Sequence, residues 1–247
     1  MVDCLGWRSI IGIVMPSTNT SVQPESDDLR PRGVSNQIAR ISIAERPLSS
    51  EQAFVEHVEA MRSGIGAAID QVMTCAPNHL IMGVALEAFW GGVAQAERLR
   101  LELEERAGVG VSMGSDSLRA ALDAFGAKRI AVLTPHQPLG DQVVRQYLEE
   151  AGYEVKRLTG LKCGSPRLIA HTTEAQVRGA YRDLDGDDVD AIVQVGTNLA
   201  GMRVAAEAER WLGKPVLSMN ALTYWNALRR LGIEDKIYGF GRLLEEY

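Results

Sequence analysis

The chain reads Ile13-Val14-Met15-Pro16 near its start and Val132-Leu133-Thr134-Pro135 at an offset of 119 residues. Ile81-Met82-Gly83 is matched by Val193-Gln194-Val195-Gly196, 113 to 114 residues on. Ser112-Met113, Ala121-Leu122 and Gly126 recur as Ser218-Met219, Ala227-Leu228 and Gly232 at an offset of 106. Three pairings in chain order with a shrinking offset describe an internal duplication with short deletions in the loops of the second copy. Within each copy, short apolar or β-branched runs alternate with longer amphipathic stretches, the pattern of parallel strands joined by crossover helices. The fold class is therefore α/β: two pseudo-symmetric, Rossmann-like α/β/α lobes, each with a four-stranded parallel sheet. A (β/α)8 barrel also holds eight strand-helix pairs, but it would repeat eightfold rather than twofold.

The spacing predicts strands at Ile10–Met15, Gln37–Ile43, His79–Val84, Val109–Ser112, Arg129–Thr134, Tyr153–Leu158, Ala191–Val195 and Val216–Ser218. Helices are predicted near 51–73, 93–106, 115–125, 138–151, 173–184, 200–212 and 221–231. Residues 1–113 then form an N-terminal lobe completed by 219–247, and 114–218 form the second lobe. Open parallel sheets bind ligands beyond the carboxyl ends of their strands, so two facing lobes put the functional site in the cleft between them.

Composition removes several classes. At 247 residues the chain can hold one large or two small cores. With 26 Lys and Arg against 32 Asp and Glu the net charge is −6, which disfavours a basic nucleic-acid surface. Aromatic residues, at 6%, are too sparse for base-stacking platforms. No apolar run approaches the roughly 20 residues that cross a bilayer. Met1 to Trp7 carries Asp3 and no basic stretch before an apolar one, so no membrane partner and a cytoplasmic location are expected. Cys4, Cys75 and Cys163 are too few and too widely spaced for a disulfide framework or a thiolate metal site. His57, His79, His136 and His171 lack metal-ligand spacing, and no dinucleotide, P-loop or nucleophile-elbow motif occurs. The sequence leaves homo-oligomerisation open.

Four loops after predicted strands carry the candidate chemistry. Pro16-Ser17-Thr18-Asn19-Thr20 offers hydroxyls and an amide to a carboxylate, or caps a helix. Its counterpart, Thr134-Pro135-His136-Gln137-Pro138, brings His136, a general acid or base or a turn residue. Gly83, Val84 and Ala85 can turn main-chain N–H groups toward an anion in an oxyanion-hole arrangement. Glu87 follows as a carboxyl in the cleft or a first-turn residue favouring the helix dipole. Gly196-Thr197-Asn198 is the symmetric loop, adding a hydroxyl and an amide. Phe89, Trp90, Tyr224 and Trp225 are candidate pocket walls or plain core.

These residues resemble the Asp/Glu racemase superfamily, in its arylmalonate decarboxylase and maleate cis-trans isomerase branch, over nearly the whole chain. The resemblance is carried by Gly12 to Thr20, Met82 to Leu86, Ala131 to His136, and Ala205 to Arg210 leading into Gly213-Lys214-Pro215-Val216. It implies two α/β lobes, no cofactor, no metal and a small carboxylate or dicarboxylate as substrate. It also implies that Ser17 and Asn19 bind a carboxylate. The family's Met-Gly-Thr-Ser-Leu loop, whose hydroxyls and amides form a dioxyanion hole, falls on Met82 to Leu86; Val84 and Ala85 then replace the hydroxyls, leaving main-chain donors. A tyrosine of the family falls on His136, and its two cysteines fall on Gly83 and Gly196.

That departure bears on mechanism, because thiol addition and thiol-mediated proton transfer need sulfur at those strand ends. Two functions fit. The first is a cofactor-independent lyase, isomerase or hydrolase of a small carboxylate, with His136 and Glu87 as catalytic groups and Ser17, Asn19, Gly83, Val84, Ala85, Gly196, Thr197 and Asn198 binding substrate. The alternative is a non-catalytic small-acid binding or accessory protein that kept the cleft.

Overall fold

The computed structural model describes residues 3–48 and 50–247. The eight strands are β1 (Ser9–Pro16), β2 (Val34–Ile41), β3 (His79–Met82), β4 (Gly110–Ser112), β5 (Arg129–Thr134), β6 (Glu154–Gly160), β7 (Ala191–Gln194) and β8 (Val216–Ser218). They form two four-stranded sheets of identical order, β2-β1-β3-β4 and β6-β5-β7-β8, every pairing parallel. The α/β expectation holds, with each sequence pairing landing on equivalent strands. In this order the crossovers leave the central strands in opposite directions, which opens a crevice beyond their carboxyl ends. β1 and β3 flank it in the first sheet, β5 and β7 in the second, and all four candidate loops leave these strands.

The helices are α1 (Val22–Asp28), α2 (Glu51–Met73), α3 (Gly92–Ala107), α4 (Gly114–Phe125), α5 (Pro138–Glu150), α6 (Glu174–Leu184), α7 (Met202–Leu212), α8 (Met219–Arg230) and α9 (Arg242–Glu246). Seven match the predicted ones to within two residues. The seven-residue α1 and five-residue α9 are too short for a periodic signal. β2 begins three residues earlier than predicted because Val34 and Ser35, both buried, already pair with Ser9 and Ile10 of β1.

β5 is buried on both faces, as a central parallel strand must be. Ile130 and Val132 join the main core, which runs through both lobes, while Ala131 and Leu133 join a smaller cluster with Val177, Tyr181 and Ala208 under α6 and α7. Residues 219–228 of α8 are all buried, and α8 packs on α4, α1, β3 and β4. Its buried Asn220, Thr223 and Asn226 are hydrogen-bonded, which lets a helix that is not wholly apolar lie in that core. Among the described residues no helix is long and apolar enough to cross a membrane.

Candidate active site

One cleft opens where the four strand-end loops converge, with about 600 Å³ of space counted out to its mouth. Its polar lining comprises Thr18 and Asn19 after β1, Glu87 after β3, His136 after β5, and Thr197 and Asn198 after β7. Val84, Ala85 and Gly196 line it as well. Eight of the ten residues singled out from the sequence thus border one space. Ser17 and Gly83 do not. The Ser17 hydroxyl donates to the Ile43 carbonyl and accepts from the Ile43 N–H, tying the loop to the segment after β2. Gly83 lies behind the lining, where an added Cβ would be 3.1 Å from the Val14 carbonyl oxygen and 3.1 Å from Val22. At Gly196 it would be 2.5 Å from Pro135, so that strand end requires the smallest residue, whereas at Gly83 a side chain needs its neighbours to give by a few tenths of an ångström.

Of the two readings of the aromatic residues, the plain core holds. Phe89 packs edge-on against Tyr147 with ring centroids 5.0 Å apart, the Tyr224 hydroxyl donates to Asn36, and the Trp225 indole N–H donates to the Tyr247 carbonyl. None of these, nor Trp90, lines the cleft. The apolar wall is instead Phe54, Val58 and Met61 of α2 with Leu48, Pro166 and Ile169. His57 joins them from α2. Phe54, His57, Val58 and Met61 follow the i, i+3, i+4, i+7 spacing of one helix face, and a histidine within that apolar stripe was the sequence signal for it. Leu48, Pro166 and Ile169 sit in irregular segments without a periodic signal. The Leu48 N–H donates to the Gly164 carbonyl, and the Glu45 carboxylate accepts from the Ser165 hydroxyl and the Arg167 N–H. This strap joins the two lobes at the mouth.

A second seam joins them at the back. The Asn198 side chain accepts from the Thr20 N–H at 2.9 Å and donates to the Pro166 and Thr18 carbonyls at 2.9 and 3.4 Å, which occupies its amide fully. The Asn19 side-chain oxygen accepts from the N–H groups of Ser21 and Val22, an Asx turn that starts α1. Its amide donates to the Thr197 hydroxyl at 3.2 Å, which in turn donates to the Gly83 carbonyl at 3.1 Å. Asn19, with one N–H left over, still has a donor for a guest; Asn198 has none.

The main chain supplies more. Among the described residues, the buried N–H groups of Val84, Ala85 and Leu86 meet no protein acceptor, and neither do those of Gly196, Thr197 and Asn198. Buried main-chain donors are almost always paired, and these two runs of three, at equivalent strand ends of the two sheets, lie among the residues that line the cleft.

Glu87 is 3% exposed, and burial pushes its pKa up to about 7 against its own N–H and the more distant Arg62. Burial, with a small contribution from His57, holds His136 down at about 4, so the ring is neutral at pH 7. Its Nε2 is buried with no protein partner. Burial lowers His57 also, against the attraction of Glu45. The turn that carries His136 is held tightly. The His136 N–H donates to the Thr134 hydroxyl at 3.1 Å, that hydroxyl donates to Asp141, and the carbonyls of Pro135 and His136 accept from Cys163 and Lys162. Cys163 therefore stands behind this turn, its Sγ 3.6 Å from the Thr172 hydroxyl, and no cysteine belongs to the cleft lining among the described residues. Cys4 and Cys75 are exposed. No cluster of metal-ligating side chains occurs among the described residues.

A family model described as arylmalonate decarboxylase matches residues 11–244. The chain belongs to the arylmalonate decarboxylase family. Within this family it is 27% identical over 243 residues to the maleate isomerase of Nocardia farcinica, covering 96% of this chain and 95% of that one. It is 27% identical over 172 residues to the arylmalonate decarboxylase of Bordetella bronchiseptica, covering 67% and 70%. The solved Nocardia farcinica maleate cis-trans isomerase superimposes with a TM-score of 0.88 at 25% identity, covering 96% of this chain and 98% of that one. A variant of that isomerase carries a covalently bound succinylcysteine intermediate. An arylmalonate decarboxylase structure shares the fold, with a TM-score of 0.77 at 20% identity over 95% and 98% of the two chains.

Proposed function

We propose that the chain is an enzyme that transforms a small carboxylic acid in the interlobe cleft without cofactor or cysteine, as a lyase, isomerase or hydrolase. The single observation that supports this most is the pairing of unpaired main-chain donors at 84–86 and 196–198 with two buried proton-handling groups, Glu87 and the orphaned His136 Nε2, around one space. The substrate carboxylate docks on the N–H groups, joined by the free N–H of Asn19. Negative charge that develops on its oxygens in an enolate-like transition state is then met by dipoles already in place, and removing one such donor typically costs about 10²- to 10³-fold in rate. Glu87, with its pKa near the working pH, carries the proton to or from the reacting carbon. His136, neutral at that pH, hydrogen-bonds the substrate through Nε2. The division into a lobe of residues 1–113 with 219–247 and a lobe of 114–218 belongs to the same proposal, since each lobe then contributes one donor run.

The covalent succinylcysteine of the Nocardia relative favours one competing reading. A family member without a cysteine in its cleft lining can be a binding protein. The two are separated by screening malonates, maleate and hydroxy acids for thermal stabilisation and following each binder by NMR in deuterated water. Turnover or deuterium incorporation that falls at least about 10²-fold in Glu87→Gln and His136→Asn supports the enzyme. Binding with neither turnover nor exchange supports the binding protein.

A further inference from the structure

Two buried amides stand behind the second donor run. Gln194, the last residue of β7, is 1% exposed, and Asn220, in the first turn of α8, is 7% exposed; neither borders the cleft. Burying an amide is costly unless it is bonded, and both are. The Gln194 Nε2 donates to the Gly196 carbonyl at 2.7 Å, and its Oε1 accepts from the Met219 N–H at 3.4 Å. The Asn220 Nδ2 donates to the Thr197 carbonyl at 2.9 Å and to the Glu25 carboxylate of α1 at 2.6 Å. A carbonyl and a carboxylate both ask for a donor, so the NH2 edge of Asn220 faces them. Glu25 in turn accepts from the Met202 N–H at the start of α7.

In a planar trans peptide the C=O and the following N–H point in opposite directions. A carbonyl held by a residue behind the lining therefore turns the next N–H toward the cleft. The Gly196 carbonyl, held by Gln194 and by the Leu199 N–H at 3.3 Å, aims the Thr197 N–H. The Thr197 carbonyl, held by Asn220 alone among the described residues, aims the Asn198 N–H. The first lobe has no such pair of amides. Met82 pairs with Val14 as Gln194 pairs with Leu133, and the offset of 106 sets Gly114 against Asn220. Its Gly83 carbonyl is held from the other lobe, by the Thr197 hydroxyl, which aims the Val84 N–H. We infer that Gln194 and Asn220 are positioning residues: they touch no guest, and they hold the Thr197 and Asn198 N–H groups as a preformed carboxylate seat, with Glu25 keeping Asn220 in place. This rests on the proposed function and deepens it, assigning the rigid seat to the second lobe. Without Asn220 the Thr197–Asn198 peptide can rotate, and its N–H no longer stands in the orientation a carboxylate needs. Donors fixed beforehand bind more tightly because ordering them costs nothing at the moment of binding.

Amide-resolved NMR of the isotope-labelled full chain, titrated with maleate and with malonate, tests this. In the wild-type chain the Thr197 and Asn198 amide protons are expected to move downfield as acid binds. In Asn220→Ala the Asn198 movement is lost and binding weakens at least about tenfold, the size of one hydrogen bond to a charged group. In Gln194→Met, which installs the first lobe's residue, the diminished movement is that of Thr197. This second variant carries the test if the first does not fold. A merely structural role would lower the urea midpoints of both variants and leave acid affinity and amide movements as in wild type, and that result overturns the inference. Acids that bind the wild-type chain and move Val84 and Ala85 but neither Thr197 nor Asn198 overturn it too, and leave the proposed function standing. Failure of both acids to move any amide of either run overturns the proposed function, and the inference with it.

Discussion

At the residue scale, the division of labour among the strand-end loops makes separable predictions. Cys163→Ser leaves activity within about twofold, since its Sγ contacts Thr172 behind the His136 turn, whereas loss of activity there would move the chemistry to sulfur. Gly196→Ala forces a methyl against Pro135, an overpacking strain of about 1 to 3 kcal/mol that a urea melt measures. His136 and Glu87 were legible in the sequence because strand-end loops of a duplicated α/β chain converge whatever their exact course. His57 was less legible: its helix was plain, but which face of α2 meets the cleft depends on packing against residues more than 70 positions away, in the β5–α5 turn. Asn198 was legible as a cleft residue, but that its side-chain amide is taken up by Thr20, Pro166 and Thr18 became visible only with both lobes in place.

The elements were readable to the degree that each hides its own apolar pattern. β5 and β8 were predicted to the residue because their short apolar runs are bounded by charged or turn residues on one side and a hydroxyl on the other. α1 was not, having seven residues, a proline in its first turn and a start set by the Asn19 Asx turn rather than by a periodic stripe. The seam that fixes α1 also makes a prediction about this element. Asn198→Ala strands the Thr20 N–H and removes two bonds from a side chain only 7% exposed, and is expected to cost on the order of 2 to 3 kcal/mol in urea unfolding. Ser17→Ala removes only a surface link to Ile43 and should cost less than about 1 kcal/mol in the same measurement. A reversal of that order would show that the lobes are held together somewhere other than at this seam.

For the whole molecule, opposed titrations shape stability against pH. Glu87 keeps its proton up to about 7 when folded, so between the ordinary carboxyl range and neutrality the folded chain binds more protons than the unfolded one. Its contribution therefore falls as pH rises through that window, by an amount on the order of 3 kcal/mol. His79 and His136, held near 4 by burial, act in the opposite sense: the unfolded chain binds more protons up to about 6.5, and stability rises with pH. Glu87→Gln is expected to exceed wild type in stability at pH 8 and to lose that advantage at pH 4, in chemical melts at the two pH values. The identical order of the two sheets has a stereochemical corollary. A guest turned end for end would find the same run of main-chain donors waiting in the opposite lobe, so the scaffold alone does not dictate which prochiral face is presented. Handedness in any product must come from the places where the duplication has drifted, with Glu87 on one side and Ala200, four residues beyond the equivalent glycine, on the other.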